Sequence, residues 1–292
     1  MDSYREKAQK LLKEGEKKLS PGGFWSLFFG SNAKADEAAE CYQRAGNLFK
    51  ITKDWDEAAE SFFKAANLLA KANCRHEAAA SYVDAGHCFK KINTVTAENC
   101  YLKAIEIYLD MGRFTVAAKY HQTIAEMYEI EPLDYDKIIQ HLEQASDYFR
   151  GEESISCANR CLLKVASYSA ELENYEKAIV IYEQVAATVI ENTLLKYCAK
   201  EYFFRAMLCH LCLDDGSSRL KFENYVYKYP ALKDTREYKL VNKLICFLEE
   251  QNIDGLTEAV QEFDSVHRLD RWFIMMLLRV KNKLKDGKFD LR

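Results

Sequence analysis

Three runs of sequence decide how this chain is read: DEAAECYQRAGNLF at Asp36–Phe49, DEAAESFFKAANLL at Asp56–Leu69 and HEAAASYVDAGHCF at His76–Phe89. They align with Ala39, Ala59 and Ala79 about 20 residues apart, and looser copies follow as TAENCYLKAIEIY, DKIIQHLEQASDYF and EKAIVIYEQVAATV. Within a copy the apolar positions keep helical spacing, as in Ala178, Ile179, Tyr182, Val185, Ala186 and Val189. A helix face that mixes small Ala with large aromatic residues lets neighbouring helices approach closely and interlock.

A longer period lies above this one. Trp55, Val95, Tyr135 and Tyr175 are followed by Asp56, Thr96, Asp136 and Glu176 and then by an apolar helical pattern. An apolar residue before an oxygen-bearing one predicts a stapled and capped helix start at each. The starts lie about 40 residues apart, so the unit is a helix pair, and it resembles a lengthened tetratricopeptide repeat. One pair cannot bury both faces. The expected fold is therefore all-α: a tetratricopeptide-like, right-handed superhelical stack of antiparallel helix hairpins over residues 1–213.

The EAA signature fades after about residue 205, and residues 214–292 read as a C-terminal helical bundle with a short tail. Helices are expected over Leu220–Tyr227, Thr235–Glu250, Gly255–Phe263 and Arg268–Lys285, the last carrying a broad apolar set of Trp272, Ile274, Met275, Leu278 and Val280. The tail DGKFDLR begins at a helix-stopping Gly287.

Composition agrees with this class. Among 292 residues there are only eleven Gly and three Pro, too few for the many tight turns of a β-rich chain. A net charge of −4 argues against a general nucleic-acid binder, which needs an excess of Lys and Arg. The Lys- and Glu-rich start predicts no secretory leader, and the ten cysteines then read as thiols in a reducing cytoplasm. The longest apolar run, WFIMMLL at Trp272–Leu278, falls far short of the roughly 20 residues that span a bilayer.

Three segments stand out. The stretch LSPGGFWSLFFGSN predicts a loop at 20–32, yet it carries Phe24, Trp25, Leu27, Phe28 and Phe29 with lysines nearby, a combination suited to shallow insertion into an anionic membrane surface. The plain alternative is a loop folded back on the first helix pair. Lys119, Arg160 and Lys200 repeat at the 40-residue period and would face one way in a regular stack, with Arg113 and Lys164 close enough to widen the stripe. Such a stripe suits an extended acidic partner, although a solvated face would look the same. Asp214, Asp215, Glu249, Glu250 and Asp254 form an acidic end where a basic partner could dock.

No catalytic constellation is present: there is no phosphate-binding glycine loop, HExxH, GxSxG or paired CxxC. Cys157 with Cys161, and Cys209 with Cys212 beside His210, sit inside apolar helical patterns and read as packed thiols rather than metal ligands. His87 and His121 read as lone packed residues on helices. No cofactor, metal or catalytic residue is expected.

AECYQRAGNLFK, YLDMGRFTVAAK, GEESISCANRCLLKVA, LLKYCAKEYFFRAMLCHL, EEQN, RLDRW and the final DLR resemble the soluble NSF attachment proteins (SNAPs), the α/β branch more than the γ branch. The resemblance implies a cytoplasmic adaptor, peripherally associated with membranes and without catalysis of its own. Several copies would wrap a SNARE four-helix bundle containing syntaxin-type proteins. They would present it to the hexameric ATPase N-ethylmaleimide-sensitive factor (NSF), which unwinds it.

The family's membrane loop matches FWSLFFG, making Phe24, Trp25, Leu27 and Phe28 its anchors. Its SNARE-facing residues match Arg113, Lys119, Arg160, Lys164 and Lys200, with Leu194 as an apolar contact. Its NSF-facing residues match Asp214, Glu249, Glu250 and the penultimate Leu291. There are departures from the family pattern. Arg160 stands where Lys is usual, Cys246 replaces an acid in the NSF-facing patch, and Lys288–Phe289 replace acids before DLR. The last two weaken the negative field at that end. A general tetratricopeptide-type peptide scaffold is the rival; it would need a compact carboxylate-binding pocket of Lys and Asn. An enzyme built on helical repeats would need a nucleophile–base pair.

Overall fold

The computed structural model describes residues 2–19, 31–130, 132–192, 194–213 and 216–285. The described residues form α-helices joined by turns and two short 3-10 segments, so the expected all-α, tetratricopeptide-like hairpin class is what is observed. The helices are α1 (Asp2–Leu19), α2 (Ser31–Thr52), α3 (Trp55–Lys71), α4 (Arg75–Phe89), α5 (Thr94–Asp110), α6 (Phe114–Tyr128), α7 (Tyr135–Gly151), α8 (Ile155–Glu171), α9 (Tyr175–Ile190), α10 (Ala199–Leu213), α11 (Ser218–Lys228), α12 (Arg236–Glu249), α13 (Ile253–Val266) and α14 (Arg271–Lys285). Contacts divide the chain into two compact units, Met1–Ala158 and Asn159–Arg292. The division expected at 213/214 falls inside the second unit. In the second unit α10 touches α9, α11, α12 and α14, so the last hairpin packs with the C-terminal helices.

In the first unit each helix packs on the next in chain order from α1 to α7. Ala39, Ala59 and Ala79, the residues that align the repeats, are all buried. Between these small residues the large rings lock in: Phe62, Tyr101, Tyr128 and Phe149 are each at most 1% exposed. Burying a large apolar side chain contributes about 1.5–3 kcal/mol, so these rings dominate the gain from stacking. Two glycines set how near the helices come. A Cβ on Gly46 would lie 2.8 Å from the ring of Phe62, and one on Gly86 would lie 3.0 Å from that of Tyr101. The same small-against-aromatic contact thus recurs one helix pair later.

The turns explain the low glycine count. Lys53, Asn73, Glu153 and Glu173 take left-handed conformations (φ 54–63°), as does Gly112 at φ 68°. After each, the next amide donates back to the preceding helix: Asp54 N to Phe49 O at 3.0 Å, Cys74 N to Leu69 O at 2.9 Å and Asn174 N to Ser169 O at 2.8 Å. This satisfies carbonyls that a helix end leaves open. Charged and amide residues fill positions where glycine is usual, and the donor residue leads directly into the next helix.

Helix starts fall within a residue of those expected, but the caps lie two or three residues before the expected ones. Asn93 accepts from Thr96 N at 3.0 Å, Asp134 from Lys137 N at 3.1 Å and Asn174 from Lys177 N at 3.3 Å. Asp56, Thr96, Asp136 and Glu176 lie inside the first turn instead, where acids offset the helix dipole. In the second unit α14 begins at Arg271 rather than Arg268, because Asp270 Oδ1 accepts from Phe273 N at 2.9 Å and caps it. Its buried face is Trp272, Phe273, Met276, Leu277 and Val280, whereas Ile274 and Leu278 from the expected apolar set are 46% and 52% exposed. Arg279 of α14 donates to the carbonyls of Ala170 (2.7 Å) and Glu171 (2.8 Å), closing the end of α8.

His121 is not the lone residue its helix pattern suggested. Its Nδ1 lies 2.9 Å from Nδ1 of His141 on α7, and His141 Nε2 lies 3.2 Å from Oε1 of Glu98 on α5. Glu98 Oε2 accepts from Tyr128 OH at 2.5 Å and from Lys137 Nζ at 2.7 Å. One buried carboxylate therefore ties α5, α6 and α7 together. Burial alone would raise the Glu98 pKa, but the hydrogen bonds from Lys137, Tyr128 and His141 outweigh it and hold the group below the usual carboxylate range.

Candidate protein-docking surfaces

Arg113 and Lys119 are exposed in the first unit, Arg113 at the cap of α6 and Lys119 in its second turn. Arg113 is held at the helix entry by its own amide, which donates to Tyr108 O at 2.8 Å after the left-handed Gly112. In the second unit Arg160 is exposed and Lys164 half-buried, four residues apart and so on one face of α8. Leu194 is 85% exposed in the connection after α9, and Lys200 follows in the first turn of α10.

Lys200 carries a partner that sequence reading missed. Its Nζ lies 3.0 Å from Oε1 of Glu237 in the first turn of α12. Both residues line a cavity of about 270 Å³ with Phe204, Phe263, His267 and Arg268. The only local signal in the sequence was an acid at a helix start, which reads as a response to the dipole. The pairing needs α10 and α12 to be side by side.

The acidic end is similarly furnished. Glu249 ends α12 and Glu250 follows as its cap, both exposed. The Glu249 carboxylate is forked by Arg219 of α11, with Nε at 2.9 Å and Nη2 at 2.7 Å from its two oxygens. Phe24, Trp25, Leu27, Phe28, Phe29, Asp214 and Leu291 lie outside the described residues. Of the loop expected at 20–32, Ser31 and Asn32 already belong to α2.

The thiols behave as packing groups. Cys161, Cys209 and Cys212 are fully buried and Cys157 half-buried. Burial pushes the Cys212 thiol up to about 12 and raises Cys209 further, so neither is a ready thiolate. His210 Nε2 lies 3.1 Å from Tyr225 OH, which in turn donates to Glu183 at 2.5 Å. Among the described residues no group of three or more His, Cys, Asp or Glu could hold a metal ion, and no helix is long and apolar enough to cross a membrane.

A sequence model of the family described as soluble NSF attachment protein, SNAP, matches residues 6–285. Over 286 residues the chain is 50% identical to the alpha-soluble NSF attachment protein of Mus musculus, covering 98% of this chain and 97% of that protein. The chain belongs to the SNAP family. The beta-soluble NSF attachment protein of Bos taurus is also 50% identical, over 97% of this chain and 96% of its own length. The vesicular-fusion protein SEC17 of Komagataella phaffii is 35% identical over 96% of each chain. The adaptor role implied by the sequence resemblance is the role of this family, and a general peptide scaffold is not favoured.

Proposed function

We propose that this SNAP-family chain, without catalysis of its own, grips an assembled SNARE four-helix bundle and presents it to the NSF hexamer for ATP-driven disassembly in membrane fusion. Arg113, Lys119, Arg160, Lys164 and Lys200 meet the acidic rod, with Leu194 as an apolar contact. Asp214, Glu249, Glu250 and Leu291 meet the motor, while Phe24, Trp25, Leu27, Phe28 and Phe29 rest on the membrane. The observation that carries this reading is that Lys119 and Arg160, one repeat period apart, are exposed on helices whose Ala and aromatic positions are packed.

Exposed charge contacts contribute about 0.2–1 kcal/mol each, so binding is a sum over several contacts and several copies. Reversing both charges with Lys119→Glu and Arg160→Glu converts attraction to repulsion. We expect capture of a soluble SNARE bundle to fall about tenfold or more at low salt. Unchanged capture removes these cations from the contact. The same assay on liposome-anchored bundles reads the aromatic loop, whose replacement by serines should weaken capture there alone. Removing Leu291–Arg292 should leave capture intact and abolish NSF-driven disassembly; a normal disassembly rate would make the tail inert.

A further inference from the structure

The end of α12 presents an electrostatic conflict and its answer. Glu249 and Glu250 stand where the helix dipole is already negative, so the two carboxylates repel that end and each other. Arg219 relieves one of them through the two-pronged contact at 2.9 and 2.7 Å, the strongest geometry an arginine offers a carboxylate. The same Nη2 lies 3.8 Å from Sγ of Cys246, one turn back on α12, and sulfur is a weak acceptor that leaves the guanidinium to Glu249. The fork leaves out exposed Glu250. The Arg219 and Glu249 side chains remain 45% and 47% exposed, within reach of an incoming molecule.

We propose, resting on the assignment of Glu249 and Glu250 to the motor contact, that Arg219 is an internal competitor that sets the strength and selectivity of that contact. It occupies the carboxylate that a basic surface of the ATPase would otherwise take. Arg219, Glu249 and Glu250 together carry one negative charge at neutral pH; without Arg219 they carry two. Because the competitor is tethered beside its carboxylate, a single cation from a partner displaces it poorly. A surface presenting several cations at once can satisfy Glu249, Glu250 and the displaced charge balance together. The arrangement therefore favours densely basic partners over isolated lysines.

The test uses the full chain, a soluble SNARE bundle and NSF held in a non-hydrolysable nucleotide, with recruitment measured against chain concentration. Arg219→Gln should tighten recruitment about three- to fivefold at low salt, with the gain fading as salt rises. Cys246→Glu should give a gain of similar size, because a second acid then shares the guanidinium. This variant keeps the fork residues, so it carries the test if α11 and α12 need Arg219 to pack. In a Glu249→Gln background, Arg219→Gln should give a clearly smaller gain, since only the long-range charge on Glu250 is then left to respond. Weaker or unchanged recruitment with both Arg219→Gln and Cys246→Glu would overturn the proposal, as would a gain that keeps its full size without Glu249. If Glu249→Gln and Glu250→Gln together leave recruitment untouched, the assignment of this face to the motor fails instead.

Discussion

Replacing Glu98 by alanine is expected to destabilise the N-terminal unit by about 3 kcal/mol or more, a large share of the stability of an ordinary domain. The side chain is only 12% exposed and accepts from three groups: Tyr128 OH, Lys137 Nζ and His141 Nε2. Removing it leaves an ammonium and a hydroxyl bonded only to each other, at 2.7 Å, and an imidazole N–H facing a hole, and the cost of these lost acceptors exceeds the net worth of the bonds Glu98 made. Lys137 is 36% exposed and can turn toward water, which places the loss near the low end of the range for breaking a buried pair. Glu98→Gln keeps the shape and one acceptor and should cost less. Urea denaturation followed by helical circular dichroism reads both; a loss below about 1 kcal/mol for the alanine variant would mean that the network adds only what a surface pair adds.

The same cluster should make the first unit acid-labile. Burial first, and the neighbouring His141 second, pull His121 down to about 4, while burial also lowers His141 despite the opposing pull of Glu98. Glu98 is itself held below the ordinary carboxylate range. All three folded-state values are depressed, so the unfolded chain binds more protons as pH falls, and stability present above about 6.5 is lost on the way down. For His121 the loss totals about 3 kcal/mol between pH 6.5 and 4.

The geometry gives the reason. With His141 donating from Nε2 to Glu98, its Nδ1 must accept, so His121 donates from Nδ1 across the 2.9 Å gap. A doubly protonated pair would place two N–H groups face to face. Urea midpoints at pH 7, 6 and 5 should therefore fall steeply for the native chain and less steeply for His121→Asn, whatever that variant costs at neutral pH. Parallel slopes would show that the histidine pair does not govern the acid response.

Local pattern carried much of this protein. The EAA runs announced helices, their 20- and 40-residue spacings announced hairpins, and Ala39, Ala59 and Ala79 proved to be buried contact points. Of the cations proposed for docking, Lys119 and Arg160 repeat with the helix pair in the sequence and are exposed in the structure. Where the reading slipped, it was over neighbours. The caps are Asn93, Asp134 and Asn174 rather than Thr96, Asp136 and Glu176, because both sets carry side-chain oxygens and only the backbone position decides which one accepts from the first-turn amides. Ile274 and Leu278 of the apolar set on α14 lie on its exposed side, which an unbroken apolar run does not reveal.

Helix content, hairpin period and family membership were determined by the amino-acid sequence alone, since each depends on residues close along the chain or on their ordered likeness to relatives. Tertiary structure alone decided which charges are spoken for. Glu98 with Lys137, Lys200 with Glu237 and Arg219 with Glu249 are separated by 39, 37 and 30 residues. In each case a charged residue that reads as a solvated helix face gains its partner only when another helix is packed beside it. Helical periodicity says which way a side chain points from its own axis, while the identity of what it meets depends on the packing of a different helix.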